Sequence, residues 1–235
     1  MFIFLDESFG QNHTVVGCLC VPKDEILKLE QAFLTNRIKK NCWGELCWSG
    51  LSNSYLDKYK KIMSDYLSNK NVTFHSWAYA SPDETYKGDV KKLLHKHEYS
   101  LLKNTIRKCL NSGYKEFYIL LDTGQSDAEY ALTRDYLEKT ISLKPNPKIL
   151  FSSAVDSKIV GAMQISSICV SAVRYLYGTL STDANKSLCE EVVSLLTKLN
   201  LETPLRFSPK HPKWDLSRKF THCLFDPQLK RPDFL

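Results

Sequence analysis

Two apolar runs each end in an aspartate. The chain opens Phe2-Ile3-Phe4-Leu5-Asp6-Glu7-Ser8 and later reads Phe117-Tyr118-Ile119-Leu120-Leu121-Asp122. A short apolar run bounded by polar residues is a strand buried on both faces. A carboxylate at its end emerges at the carboxyl edge of a sheet, where α/β proteins place their ligands. If the two strands are parallel neighbours, Asp6 and Asp122 converge. Converging carboxylates repel unless a cation or a proton lies between them, which is the chemistry of a divalent-metal site. Capping of a turn or helix is the plainer role for one such aspartate. Two on matching strands favour a site.

The elements that must position this pair follow from pattern. Strand one covers residues 2–6, and a turn through Gly10 and Asn12 leads into strand two, Thr14–Val21, as a hairpin. Pro22-Lys23-Asp24-Glu25 starts a helix with Ile26, Leu29 and Phe33 on one side. Residues 42–50 form a tryptophan-rich loop in which Trp43 and Trp48 are expected to pack. Ser52 or Asn53 caps a second helix reaching about Leu67, and Val72–Ala80 alternates as a strand. A long helix over about Asp89–Leu110 stops at Asn111-Ser112-Gly113. Strand 117–122, a helix at about 127–141, strand 148–154 and helices at about 160–177 and 184–199 complete the order. A hairpin and third strand followed by alternating helices and strands predict an α/β sheet, antiparallel on one side and parallel on the other.

The helix after Ala162 is apolar almost all round, hence buried. Its exceptions, Gln164, Ser167, Ser171 and Arg174, fall on one face. They are either core groups bonding their own backbone or a stripe facing the carboxylates. By contrast, His95-Lys96-His97-Glu98 reads as a solvated helical face, since residues two apart do not share a side.

Composition bounds the partners. The chain has 235 residues, 43% hydrophobic and 25% charged, enough for one sizeable core. Strand one is expected from Phe2, so no signal peptide is expected, and no apolar stretch reaches membrane-span length. Eight scattered cysteines without a C-x-x-C pair suggest reduced core thiols and a cytoplasmic protein. The net charge of +6 and clusters such as Lys58, Lys60, Lys61 and Lys210, Lys213, Arg218, Lys219 suit a polyanion, with nucleic acid as the expected partner. Five of the nine prolines lie in the last 32 residues, which read as an extended tail on the core anchored by Trp214, Phe220 and Phe225.

Several of these stretches together resemble a bacterial and phage family, domain of unknown function 3800, considered RNase H-like. The opening resembles its D-E-S strand. Glu45-Leu46-Cys47-Trp48-Ser49 resembles its E-L-K-W loop, and Val72-Thr73-Phe74-His75 its following strand. The Asp122 strand matches its central acidic strand. Asp156-Ser157-Lys158 and Gln164-Ile165-Ser166-Ser167 resemble its D-S segment and Q-L-A-D helix. The resemblance spans roughly residues 1–177 and rests on motif order. It implies a single RNase H-like domain over 1–235, with a core of about 1–180, a mixed sheet of order 3-2-1-4-5 flanked by helices, and a proline-rich C-terminal extension. It implies a metal-dependent nuclease acting on DNA or RNA. Asp6, Asp122 and Glu45 would then be catalytic. Asp6, Asp122, Glu7 and Asp156 would hold Mg2+ or Mn2+, with Gln164, Ser167 and Lys158 behind them. Two departures, Cys47 for the lysine and Ser167 for the aspartate, leave a catalytically impaired relative that binds nucleic acid or a protein as the alternative.

Overall fold

Strand alternation sorts the central residues into two cores, one on each face of a six-stranded sheet. In β1 (Phe2–Ser8), Phe4 joins one cluster while Ile3 and Leu5 join the other. The computed structural model describes residues 1–10, 13–81, 89–122, 147–176, 182–197 and 220–225. The remaining strands are β2 (His13–Val21), β3 (Thr73–Ala80), β4 (Glu116–Asp122), β5 (Lys148–Val155) and β6 (Phe220–Phe225). The helices are α1 (Ile26–Lys39), α2 (Asn53–Leu67), α3 (Val90–Asn111), α4 (Gly161–Tyr175) and α5 (Asp183–Thr197).

The sheet order is β5-β4-β1-β2-β3-β6. β1 and β2 are antiparallel, as are β2 and β3, while β1–β4 and β4–β5 are parallel. This mixed sheet has the expected order 3-2-1-4-5, with one strand added. That strand is a correction: residues 220–225 do not merely lie on the core but pair with β3 in parallel. Trp214 and the helix expected at about 127–141 lie outside the described residues. In β5 the pairing skips Leu150 between Ile149 and Phe151, so this residue is the extra one of a bulge, and it is correspondingly exposed.

One face of the sheet carries α1, α2, α4 and α5, and α3 covers the other. Ridges of Leu101, Leu102, Ile106, Cys109 and Leu110 seat α3, and Gly113, at φ 91°, ends it in the left-handed conformation anticipated for a helix stop. Cys18 and Cys20 share the α3 face with Cys109, all three buried, as alternation along β2 requires.

The start of α4 is fixed by a neighbouring helix. Its Val160 cap position offers no side-chain acceptor. Instead Glu30 of α1 accepts from Gly161 N at 2.9 Å and Ala162 N at 2.7 Å, satisfying two of the orphan donors of the first turn. Only glycine fits at 161, because a Cβ would lie 2.5 Å from the Phe33 ring. Burial raises the Glu30 carboxyl above the ordinary range, partly offset by these two donors.

Candidate functional site at the carboxyl edge

β1 and β4 run parallel in register, with Leu5 opposite Leu121. The next residue on each is Asp6 and Asp122, so the two aspartates lie side by side where the β1–β4 pairing ends, while β1 continues against β2 to Ser8. Phe4 and Leu120, two positions earlier, both belong to the α4-side core, which places both carboxylates on the face covered by α4.

α4 lies close over that edge for a reason written into β2. Gly17 pairs with Asp6, and a Cβ at Gly17 would lie 2.5 Å from Val170 Cγ2 and 2.7 Å from the Phe74 ring. With no side chain there, the helix settles onto the strands. Ser166 Oγ donates to Phe4 O at 3.1 Å, and the Ser167 side chain hydrogen-bonds Asp6. Glu7 N donates to Asp6 Oδ1 at 2.8 Å.

Asp6 is only 6% exposed. Burial raises its pKa from 3.8 to about 7, against the lowering effect of the Glu7 N–H and the Ser167 hydroxyl. The negative charges of Asp122 and Glu98 push it up further. The group is therefore an acid that ionises near neutrality, in the field of other carboxylates.

Glu98 is the member of this group that sequence reasoning missed. Rather than facing solvent, His97 and Glu98 of α3 are buried, Glu98 completely. His97 stacks on Tyr79 at 3.8 Å, and desolvation depresses its pKa to about 4, so it is neutral at physiological pH. His95 Nδ1 lies 3.0 Å from Glu98 Oε2. The missed signal was the helical period: Glu98 is four residues from Leu94 and Leu102 and three from Leu101, on the apolar face.

The other expected residues spread around the same edge. Glu7 alternates to the α3 face, where its charge acts on Tyr79 together with that of Glu98. The Glu45 carboxylate accepts from Ser157 Oγ at 2.8 Å. Asp156 follows Val155, the residue opposite Asp122 in β5. It is exposed, and its Oδ1 accepts from Lys158 N at 2.9 Å in a local turn. Lys158 is exposed as well.

Gln164 is buried and does not touch Asp6; it clamps two loops. Its Oε1 accepts from Leu46 N at 2.8 Å, and its Nε2 donates to Ser157 O at 2.8 Å and Lys158 O at 3.1 Å. The Glu45 loop is thereby tied to the turn after β5. Trp48 packs partly on the core, whereas Trp43, expected to pack, is 67% exposed. The reason is local: Arg37 donates to the carbonyls of Cys42, Trp43 and Gly44, fixing that backbone with the indole outward.

Asp6 and Asp122 are hard oxygen donors, and magnesium is ordinarily held by one or two protein carboxylates with water and phosphate oxygens completing the shell. A buried carboxyl whose ionisation is opposed by burial and like charge is what such a cation would relieve. The residues present fit one such ion. Among the described residues no group of three or more His, Cys, Asp or Glu is arranged to hold a metal, so the four-carboxylate set of a two-ion site is not assembled. No helix among those residues is long and apolar enough to cross a membrane.

No family model matches the chain, and no curated protein matches it. Solved structures similar to it include a chain of the PCNA:RNase HII complex from Archaeoglobus fulgidus. It is 11% identical, with a TM-score of 0.41, over 92% of this chain and 98% of that one.

Proposed function

We propose that this protein is a divalent-metal-dependent nuclease of RNase H-like fold, hydrolysing phosphodiesters of DNA or RNA. The observation that carries the reading is that Asp6 and Asp122 each follow the last paired residues, Leu5 and Leu121, of the parallel neighbours β1 and β4. The raised pKa of Asp6 supports it. In this reading Asp6 and Asp122 hold one Mg2+ or Mn2+, with Glu98 adding negative field from the α3 side. When bound, the ion supplies Lewis-acid activation and charge neutralisation at the phosphate.

The chain's own groups do the rest. Glu7 N–H and the Ser167 hydroxyl hold the Asp6 carboxylate in one orientation. Burial under α4 removes bulk water from one side of it. In this reading Glu7, Glu45 and Asp156 would serve as further oxygen donors, and Lys158 and the exposed lysines of α3 would contact phosphates. Gln164 acts as a positioning residue by clamping the Glu45 loop to the turn carrying Asp156 and Lys158.

A second reading, a catalytically impaired relative that binds nucleic acid or a protein, is favoured by Ser167 standing where the resemblance implies an aspartate. Incubation of DNA and RNA substrates, single- and double-stranded, with Mg2+ or Mn2+ separates the two. Cleavage that disappears with EDTA and in Asp122→Asn supports the nuclease. Metal binding that leaves every substrate intact, with nucleic acid still bound, supports the second reading. Absence of metal binding by calorimetry overturns the first.

A further inference from the structure

A polar ladder runs outward from Asp6 between β1 and α4, and it ends at Arg174. Its first rung is Asp6 with Ser167. The second is Ser8 with Ser171, whose hydroxyls lie 3.5 Å apart. The third is Gly10 with Arg174: the guanidinium Nη1 is 3.2 Å and Cδ 3.3 Å from where a Gly10 Cβ would stand. Ser81 Oγ, itself 3.0 Å from Thr14 Oγ1, donates to Gly10 O at 2.8 Å.

Arg174 Nε is buried and has no hydrogen-bond partner among the described residues. No carboxylate among the described residues pairs with this side chain. A desolvated guanidinium donor without an acceptor is costly, and such a group in a native fold asks for an explanation. Guanidinium is a planar fork suited to phosphate oxygens. Ser8, half-exposed, and Ser171 add hydroxyls with donor capacity to spare.

From these observations we infer that Ser8, Ser171 and Arg174 form a phosphate-binding subsite for a nucleic-acid strand that also passes Asp6 and Asp122. This rests on the nucleic-acid reading above. From Ser167 to Arg174 the helix rises about 10 Å. At about 3.4 Å of axial rise per nucleotide that is roughly three nucleotides of a stacked strand. A pair of carboxylates repels a polyanion, and a cation beyond them offsets that repulsion where no metal does. Gly10 is needed in this arrangement, since a methyl there would collide with His13 O at 2.8 Å as well as with the arginine.

The test is fluorescence anisotropy of end-labelled DNA and RNA oligonucleotides, single- and double-stranded, in EDTA, over a range of salt. EDTA suppresses cleavage, so binding is read apart from catalysis. For the strand that the wild type binds, Arg174→Gln should weaken binding at least about tenfold, the loss expected for a charged hydrogen bond. It should also lower the slope of log K against log salt by about one. Arg174→Lys should keep the slope while losing part of the affinity. Ser8→Asp, which sets a carboxylate opposite Ser171, one helical turn from Arg174, and leaves the arginine stem packed, should reproduce the Arg174→Gln loss and covers the case in which that variant does not fold. Wild-type affinity and slope in Arg174→Gln, or in Ser8→Asp where the former is unfolded, overturn the subsite and leave the nuclease reading standing. Binding lost in these variants, with no cleavage by the wild type in Mn2+, keeps the subsite and removes the nuclease. No binding of any oligonucleotide by the wild type overturns the subsite together with the nucleic-acid reading.

Discussion

Asp6→Asn is expected to stabilise the metal-free protein, and by an amount that depends on pH. Burial raises the Asp6 pKa from 3.8 to about 7. Between those values the native state keeps a proton that the unfolded chain has lost. Stability therefore falls as pH rises through that window, and the loss is complete above about pH 7. The interval corresponds to about 4 kcal/mol, at 1.36 kcal/mol for each pH unit. Asparagine removes the titration and keeps the contacts: its Oδ1 accepts from Glu7 N, and its amide can donate to the Ser167 hydroxyl. Urea denaturation of both proteins in EDTA, from pH 4 to pH 8, reads the effect. The two should be similar near pH 4, and the variant should be more stable by up to about 4 kcal/mol at pH 8. Other groups titrate equally in both proteins, so the growing difference isolates Asp6. Magnesium or manganese at pH 8 should close the gap by stabilising the wild type alone, since a ligand bound only by the native state adds RT ln(1 + [L]/Kd). A difference that does not change with pH, or an asparagine variant less stable at pH 8, would refute the argument that burial holds this carboxyl at a cost.

Three further outcomes are expected. Gly17→Ala should destabilise the protein by about 1–3 kcal/mol in urea denaturation, because the new methyl meets Val170 and Phe74 and forces α4 away from β1; an unchanged midpoint would mean that the close approach is not needed. Gln164→Leu should cost about 2–4 kcal/mol, since it strands Leu46 N, Ser157 O and Lys158 O. It should also speed proteolytic nicking within 42–50, whereas a digestion pattern like the wild type's would show that the loop is held otherwise. Ser167→Asp should raise calorimetric affinity for magnesium and manganese, by adding a hard oxygen beside Asp6, and Asp6→Asn should abolish the gain; affinity that stays flat would show that the new carboxylate does not reach the ion.

Local pattern was sufficient for much of this architecture, because strand and helix periods depend on neighbours a few residues apart. Asp122 was recognisable as a strand-end carboxylate from the apolar run before it, and Gly113 as a helix stop, whereas the strand of Asp6 runs on to Ser8. The polar stripe on α4 was equally legible: Ser167 faces Asp6, Ser171 faces Ser8 and Arg174 faces Gly10. What a period cannot say is which partner fills the opposite surface. Glu98 looked solvated beside two histidines and a lysine, yet α3 buries it completely, where its charge acts on Asp6. Gln164 shared the stripe but found its partners in backbone groups of two loops. Trp43 seemed too apolar to leave outside, until three carbonyls gathered by Arg37 decided the course of that loop. Residues 220–225 carried no mark of a sixth strand, since joining the edge of β3 depends on an unpaired row of backbone groups more than a hundred residues earlier. Element types were settled by short-range sterics and hydrophobic spacing. The assembly of the carboxylate edge was settled by long-range pairing and by the close approach of α4 that Gly17 permits.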